Sequence, residues 1–375
     1  MQSALSSVSL YAMFIYIPSA GRYSSDALGA VNYRLAAREA QRADGETVLI
    51  QAGVAEATAI LGAMRLVAIG DERRTLSDAC ARGLAAAGRY VFRLNEDTRP
   101  ETLPAVIPAE LSGKLSTQEQ REAACRFLAV MPLVDGRLDE AKIDLFLRYA
   151  EALEIHEDYV TQLAEACSDL DWVLEDMTRQ NIKSLWDEPW DGSDIMEVLL
   201  PYRRNADPGL AARYHALGAL PSGTFGRAFW NIYRQNDYAF PGQEQGVNGR
   251  FATPHDSTHV LSGYDTSPEG EILVSTFTAG MHPKQPMEGH ILPVLFSWHL
   301  GIEINAFAKS ARNQLDAEKF WIAWVRGSDM KTDLFARDWD FWSVIEEPVT
   351  AVRKRYEVPG LDPRHAAGRS PLTIT

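Results

Sequence analysis

The hydrophobic positions in the first half of the chain recur with the spacing of α-helices. Between Leu76 and Gln180, apolar residues return every three or four positions, which gives each predicted helix one apolar face. Ser116 and Glu119 stand at capping-box spacing before one run, and Asp135-Gly136 marks a turn before the next. The stripe after that turn comprises Ile143, Phe146, Leu147, Ala150 and Leu153. The pattern predicts a helical bundle.

The same helical spacing continues through the second half of the chain, to about residue 359. No stretch alternates polar and apolar residues long enough to predict a sustained strand. An earlier apolar run, Val48 to Ile69, is interrupted by Gln51, Glu56 and Arg65, which predicts a buried or amphipathic helix rather than a membrane span. We therefore expect an all-α fold.

Composition changes along the chain and predicts more than one part. All nine tryptophans lie between Trp172 and Trp342, whereas the first 74 residues are rich in alanine, serine and glycine. The segment DEPWDGS is typical of a linker between two helical domains. The predicted parts are a poorly ordered N-terminal extension (1–74), a first helical domain (75–182), a second helical domain (190–360) and a disordered tail (361–375).

Charge and cysteine content narrow the function classes. The formal net charge of −14 over 375 residues argues against nucleic acid as a partner bound through a broad basic face. The three cysteines are far apart and lack CxxC spacing, as expected for reduced thiols rather than a disulfide framework. The N-terminal apolar run lacks a basic leader. We expect a cytoplasmic protein.

The stretch TPHDSTHVLSGYDTSPEGEI, residues 253–272, is the strongest candidate for chemistry. Thr253 suits a helix N-cap, and Pro254 suits the first helical position. A helix that starts there places His255 and His259 four residues apart on one face. Two imidazoles in that arrangement can bind one divalent metal ion, so the spacing predicts a metal-binding helix.

Two acidic residues of the same stretch each have two interpretations. Asp256 points about 100° away from His255 around the helix, and it can close a capping box with Thr253 instead of binding the metal. Ser267 begins a second predicted helix with Glu271 in its first turns, from which the carboxylate can fold back onto the histidines. Alternatively, Glu271 only favours the positive end of the helix, by about 0.3–1 kcal/mol.

Three segments of the second half follow each other in the order of one known family. HDSTHVLSGYDTSPEGE fits HDxxH, eleven further residues and then E. GTFGRAFWNIY precedes it, and AWVRGSDMKTDLFARDWDFWSVIEEPVTAVRKRYEV follows it. Together they resemble the metal signature, the upstream glycine-containing helix and the C-terminal segment of the coenzyme Q (ubiquinone) biosynthesis protein 4 family. The resemblance covers about residues 195 to 358.

A second resemblance lies upstream. FLAVMPLVDGRLDEAKIDLFLRYAEALEI is similar to the tellurite-resistance TerB-like helical domains, through its hydrophobic spacing around a DG turn. Some members of that wider group carry acidic metal sites. Asp135, Asp139 and Glu140 are arranged like such a site, but we expect them to be solvated turn residues.

The resemblance to the coenzyme Q biosynthesis family implies a ligand set and a reaction. The implied ligands of one divalent metal ion are His255, Asp256, His259 and Glu271. Zinc is the favoured ion, with iron or manganese as alternatives. The implied role is in the synthesis of ubiquinone or a related prenylated quinone, where oxidative decarboxylation replaces the ring carboxyl at C1 with a hydroxyl.

The same resemblance implies partners and location. The expected ligand is a prenylated quinone precursor or another isoprenoid lipid, and the expected protein partners are other quinone-biosynthesis proteins. The protein is expected to be a homo-oligomer that works peripherally at the surface of the cytoplasmic membrane.

The TerB-like segment and the N-terminal extension depart from the minimal layout of that family, so another isoprenoid or quinone stays open as the substrate. Two other functions also stay open. One is a non-catalytic lipid-binding scaffold whose metal holds the fold together. The other is an HD-type phosphohydrolase that would use His215, the His255-Asp256 pair and Asp316. The phosphohydrolase alternative leaves His259 and Glu271 without a role.

Further polar residues outside the motif carry separate predictions. Arg227 and Arg326 are candidates for binding an acidic substrate head group, since a guanidinium binds carboxylate or phosphate bidentately. His282 and His290 lie in a segment with prolines and a glycine, and we expect them to be solvated. His299 lies in an apolar helix, and we expect a hydrogen-bonded core histidine.

Overall fold

The structure, a computed structural model, describes residues 49–71, 73–95, 99–185, 195–304 and 310–367. These residues form an all-α fold, as the hydrophobic pattern predicts, and the β pairing among them is limited to two isolated bridges. Residues 1–48, the predicted linker 187–193 and the tail from residue 368 onward lie outside the described residues.

The described residues of the first half are arranged as short helices around a common core. The helices are α1 Val54–Ile69, α2 Asp78–Ala86, α3 Pro108–Lys114, α4 Gln118–Val130, α5 Glu140–Ala152, α6 Asp158–Glu165 and α7 Leu170–Leu185. The capping box before α4 is formed by Thr117 and Gln120, one residue later than the predicted Ser116 and Glu119. Thr117 is the residue with extended backbone at that point, so its side chain accepts from the Gln120 N–H.

Helix α1 confirms the buried helix predicted within Val48 to Ile69. Its buried residues begin at Ala57 and include Ile60, Leu61 and Met64, whereas Val54 at its start is exposed. The helix contacts α2, α3, α4 and α5. The residues from Ala59 to Ala68 therefore contribute to the same buried cluster as the TerB-like residues.

The second half adds a further set of helices, and two of them cross at close range. The helices are α8 Ile195–Leu199, α9 Pro208–Ala216, α10 Phe225–Asn236, α11 Gly249–Ser262, α12 Pro268–Met281, α13 Leu292–Trp298, α14 Ala317–Asp329 and α15 Val349–Arg355. A side chain at Gly280 of α12 would meet the backbone of Trp324, and one at Gly327 of α14 would meet the backbone of Phe277. Glycine at both positions lets these helices approach closely, which fixes α12 in the core.

The apolar core does not divide at the predicted linker, so the expected split into two domains is not confirmed. One buried cluster contains residues of α1 to α7 together with residues of α12, α13 and α14. Phe127 of α4 lies edge-on to Trp321 and Trp324 of α14, with ring centroids 5.6 Å apart in both pairs. A second cluster is built from α9 to α12 and the C-terminal residues.

The C-terminal residues are ordered beyond the predicted boundary at residue 361. Residues 363–365 form one 3-10 turn, and Ala367 is buried in the second cluster. Within the described part of the chain, every helix is too short or too polar to cross a membrane.

Candidate metal centre

Helix α11 carries the two predicted histidines but begins earlier than the sequence indicates. It starts at Gly249, with the Asn248 side chain accepting from the Arg250 N–H, so the prediction of a start at Thr253 was wrong. Pro254 lies inside the helix, where it supplies no N–H to the preceding turn. The Thr253 hydroxyl instead lies 2.5 Å from the hydroxyl of Tyr214. Thr253 is therefore not an N-cap, and the prediction that Asp256 closes a capping box with it was wrong.

His255, Asp256 and His259 form a group that can hold a metal ion. One ligand atom from each of the three residues lies within 4.8 Å of the other two. His255 and His259 are one helical turn apart, and their ring centroids are 5.0 Å apart. Asp256 and His259 are buried, whereas His255 keeps 17% of its side chain exposed. Consecutive turns of α11 thus supply all three groups.

Glu271 reaches the same group from the first turn of α12. Ser267 caps that helix, as predicted, and Gly263 ends α11 in the left-handed conformation. One carboxylate oxygen of Glu271 lies 3.4 Å from His255 Nε2, and the other lies 3.5 Å from His259 Nε2. The carboxylate therefore spans the two imidazoles, and the four residues predicted as ligands lie together.

His259 and Glu271 form a pair of opposite charges within the group. Burial works against the charged form of His259, but the Glu271 carboxylate outweighs it and raises the pKa of His259 to about 9. Burial likewise opposes ionisation of Glu271, and the positive His259 lowers its pKa to about 2. A proton on His259 thus supplies the positive charge that the buried carboxylate requires.

Backbone and side-chain contacts orient two of the ligand groups. His259 Nδ1 lies 3.0 Å from the Tyr264 carbonyl oxygen, which can only accept, so Nδ1 carries a hydrogen. In the neutral ring the lone pair is then on Nε2, the atom that faces Glu271. The Tyr233 hydroxyl donates to Asp256 Oδ2 at 2.7 Å. Such outer contacts fix the tautomer and orientation of metal ligands in proteins, so the residues present fit a metal ion.

All four residues line a small, partly open cavity. Its volume is about 30 Å³, enough for an ion and one water molecule. The rest of its lining includes Asn181, Tyr238, Ser275, His290 and Phe335. A separate cleft of about 770 Å³ lies alongside, lined by residues that include Tyr202, Tyr214, Pro254, His282, Phe335 and Trp339. Phe335 faces both spaces, so the cleft adjoins the cavity.

The two arginines proposed to bind a substrate head group do not line the cavity. Arg227 Nε donates to Asn231 Oδ1 at 3.2 Å. Arg326 is buried, and its Nη2 donates to the carbonyl oxygens of Ser262 at 2.9 Å and Pro359 at 2.8 Å. The Arg227 contact lies within α10, and the Arg326 contacts join the end of α11 to Pro359. A head-group role for either arginine therefore draws no support from their positions.

The residues of the phosphohydrolase alternative are not brought together. His215 is exposed on α9, beside the ring of Phe240. Asp316 caps α14, where its carboxylate accepts from two backbone N–H groups. Neither belongs to the metal-binding group of His255, Asp256 and His259.

The predicted exposure of His282 and His290 was wrong, because both are buried. The segment around them forms a π-helical turn, Pro286–Ile291, that packs against α7 and α12. His290 lines the cavity, as does Asn181 of α7. Neither residue has a sequence signal that could have placed it there. His299 is buried, as predicted, with Nε2 facing the Val134 carbonyl at 3.0 Å.

Comparisons with known proteins add no relative. No protein-family model matches the chain, and no curated protein or solved structure matches it. The resemblances to the coenzyme Q biosynthesis and TerB-like families therefore rest on the motifs alone, and the geometry of the cavity carries the functional argument.

Proposed function

We propose that the protein binds one divalent metal ion through His255, Asp256, His259 and Glu271. The observation that carries the proposal is the convergence of two imidazoles and two carboxylates on one buried cavity. The donor set contains nitrogen and oxygen but no thiolate, which suits zinc and also accommodates iron or manganese. Zinc is the favoured ion.

The chain contributes position and charge to this centre. Tyr233 holds the Asp256 carboxylate, and the Tyr264 carbonyl holds the His259 ring so that Nε2 faces the cavity. Burial keeps bulk water from the group. The ion, when bound, supplies a Lewis acid that can polarise a carboxylate or lower the pKa of a bound water.

We further propose that this centre serves the synthesis of ubiquinone or a related prenylated quinone. The reaction would be an oxidative decarboxylation, in which the ring carboxyl at C1 leaves as CO2 and dioxygen, as the co-substrate, supplies the oxygen of the new hydroxyl. An external two-electron donor would reduce the second oxygen atom to water. The support is the order of the three motifs along residues 195 to 358, together with the adjoining cleft. The volume of that cleft, about 770 Å³, falls within the range of small-molecule sites.

Location and partners belong to the same proposal. The substrate would be an isoprenoid lipid drawn from the cytoplasmic membrane, with the protein peripheral at its surface. Other quinone-biosynthesis proteins and further copies of the chain would be its protein partners.

One observation favours a second candidate, a lipid-binding scaffold with a structural metal. The cavity is small, and its lining includes four candidate ligand side chains. A closed four-ligand site is typical of structural metals, whereas catalytic sites keep an open position. The scaffold would also hold a prenylated quinone precursor, but it would not transform it.

Complementation separates the two candidates. A microbial strain that lacks the C1 decarboxylation step would be supplied with the wild type, His259→Ala or the control Thr278→Val. The Thr278 hydroxyl already donates to the Val274 carbonyl at 3.0 Å, so its loss leaves the ligands untouched. We expect quinone from the wild type and the control only. A wild type that binds the precursor but restores no quinone would select the scaffold. Full quinone synthesis with a folded, metal-free His259→Ala protein would exclude the metal centre from the reaction.

A further inference from the structure

Asn181 and His290 bring two buried polar atoms without a partner to the cavity of the metal centre. Asn181 is 2% exposed and His290 is 4% exposed. Asn181 Oδ1 and His290 Nε2 have no hydrogen-bond partner among the described residues, and both side chains line the cavity. Unpaired buried polar atoms are costly and rare in folded proteins. Two of them at one cavity indicate a ligand that pairs them.

The orientation of Asn181 is fixed by the backbone. Its Nδ2 donates to the Gly289 carbonyl at 2.6 Å, from α7 to the π-helical turn. A carbonyl can only accept, so the amide nitrogen faces Gly289 and the amide oxygen is the unpaired atom. Asn181 Oδ1 therefore requires a hydrogen-bond donor.

The ring of His290 is also held in place. The Ser275 hydroxyl donates to the His290 carbonyl at 2.9 Å. The ring lies edge-on to that of His282, with centroids 5.7 Å apart. His282 is fixed in turn, with Nε2 3.0 Å from the Ser184 carbonyl and Nδ1 2.9 Å from Asp333.

His290 is an uncharged imidazole in this setting. Burial lowers its pKa well below the ordinary value, and the neighbouring His282 and His255 act in the same direction. A neutral imidazole nitrogen either accepts or donates one hydrogen bond, according to the tautomer. His290 Nε2 can therefore make one hydrogen bond to a group in the cavity that Asn181 also lines.

We propose that Asn181 and His290 form a subsite for an oxygen ligand that bears a hydrogen, either water or a hydroxyl group of a bound organic molecule. The O–H donates to Asn181 Oδ1, and His290 Nε2 makes the second hydrogen bond. The inference rests on the proposed metal centre, because the same cavity would hold the ion beside this oxygen. Neither residue belongs to the HDxxH motif, and Asn181 lies outside residues 195 to 358.

The size of the cavity limits how the ligand enters. Since one water molecule requires roughly 10–15 Å³, a volume of about 30 Å³ holds the ion and one water-sized group but not an aromatic ring. An organic ligand would thus place one functional group in the cavity and keep its remaining atoms in the adjoining cleft, past Phe335.

Binding of a small hydroxyl-bearing probe tests the subsite in the full-length chain loaded with Co²⁺. Acetohydroxamate would be titrated while the visible Co²⁺ spectrum is recorded. We expect Asn181→Leu and His290→Phe each to keep the bound Co²⁺ and to weaken probe binding at least about fivefold, for one lost hydrogen bond. The control Thr278→Val also alters a cavity residue, but its hydroxyl is already paired. Its probe affinity should equal that of the wild type, and equal affinity in all four proteins would overturn the subsite.

A crystal structure of the wild type, with anomalous data at the cobalt edge, gives the same test without a variant. We expect an oxygen within about 3.2 Å of both Asn181 Oδ1 and His290 Nε2. Crystals without the probe would show water there, and crystals soaked in acetohydroxamate would show its oxygen. Cobalt at His255 and His259 with no oxygen at the pair would overturn the subsite and leave the metal centre standing. Oxygen at the pair without cobalt would keep the subsite and remove the metal centre.

Discussion

Two shielded carboxylates, Asp135 in the first half and Glu271 in the second, are neutralised by different kinds of partner. Asp135, in the turn before α5, accepts from Lys142 Nζ and from the Ser77 hydroxyl. Burial raises the pKa of Asp135, but the hydrogen bonds from Lys142 and Ser77 outweigh it, so the net change is downward. The expectation that Asp135 is a solvated turn residue was wrong, because it forms a closed ion pair.

Glu271 faces imidazoles instead of an ammonium group. His259 is positive only while it holds its proton, and the group borders a cavity that a cation can enter. A lysine at this place would fill the space and keep its charge. Both sites contain a shielded carboxylate, and they differ in the residue that faces it. Lysine gives a structural ion pair, whereas two histidines give a candidate metal site.

The largest expected effect concerns Asp135. Lys142→Met leaves that carboxylate shielded without its cation, and Lys142 itself has only 4% of its side chain exposed. We expect the free energy of unfolding to fall by about 3–5 kcal/mol, with the metal content unchanged. Urea unfolding followed by circular dichroism measures the loss. The double variant Asp135→Leu/Lys142→Met should recover most of it, and a loss of stability that the double variant fails to reverse would contradict the closed-pair account.

Glu271→Gln tests the other side of the comparison. Removing one ligand charge should weaken metal binding at least about 100-fold, since even the loss of an outer partner costs 10–100-fold. Competition with a chromophoric chelator measures the affinity. Glu269→Gln is the matched control, because Glu269 lies on the same turn but pairs with Lys319 at 2.8 Å. Equal losses in both variants would indicate a general charge effect instead of ligation.

Tyr233→Phe should have a smaller effect on the same affinity. It removes the hydrogen bond to Asp256 Oδ2 and leaves the ring in place. We expect metal binding to weaken about 10-fold to 100-fold. Tyr264→Phe is the control, because Tyr264 contacts His259 through its backbone carbonyl, which the substitution keeps. If Tyr233→Phe binds the metal ion as tightly as the wild type, then Tyr233 does not orient Asp256 for metal binding.

The pH dependence gives the most gradual change. His259 has its pKa raised from 6.5 to about 9, so its contribution to metal-free stability is complete below 6.5 and is lost as pH rises through 9. Glu271 has its pKa lowered from 4.5 to about 2, so its contribution is present above 4.5 and is lost as pH falls through 2. This pair therefore stabilises the metal-free protein most between pH 4.5 and pH 6.5, the ordinary pKa values of the two groups.

Above neutrality, the affinity for the metal ion should rise with pH, whereas the stability of the metal-free protein falls. The ion must displace the proton of His259, so the apparent affinity should rise about tenfold per unit around pH 7 to 8 and level off above the pKa of His259. Calorimetric titrations in buffers of different ionisation enthalpy measure the proton released. A flat affinity with no proton release would show that His259 does not bind the ion.

The sequence predicts the helical fold and the histidine pair because both depend on local spacing. The four-residue interval from His255 to His259 survives any shift of the helix start, so the pair was predicted although Asn248, not Thr253, caps α11. Glu271 follows from the same logic, since Ser267 caps the helix that carries it.

The rest of the site depends on contacts that no local pattern records. Asn181 reaches the cavity from α7, more than seventy residues before His255. His290 lies in a segment whose prolines and glycine indicate a solvated loop, and only packing against α7 and α12 buries it. The continuity of the apolar core across both halves has the same origin, because the contact of Phe127 with Trp321 joins residues distant in sequence.

Elemental analysis by inductively coupled plasma mass spectrometry tests the central claim most directly. The full-length chain, purified without chelators after metal-replete growth, would be compared with His255→Ala/His259→Ala. We predict about one metal ion per chain in the wild type, with zinc the favoured element, and none in the folded variant. A wild type without metal, or equal metal in both proteins, would contradict the assignment of this cavity as a metal centre.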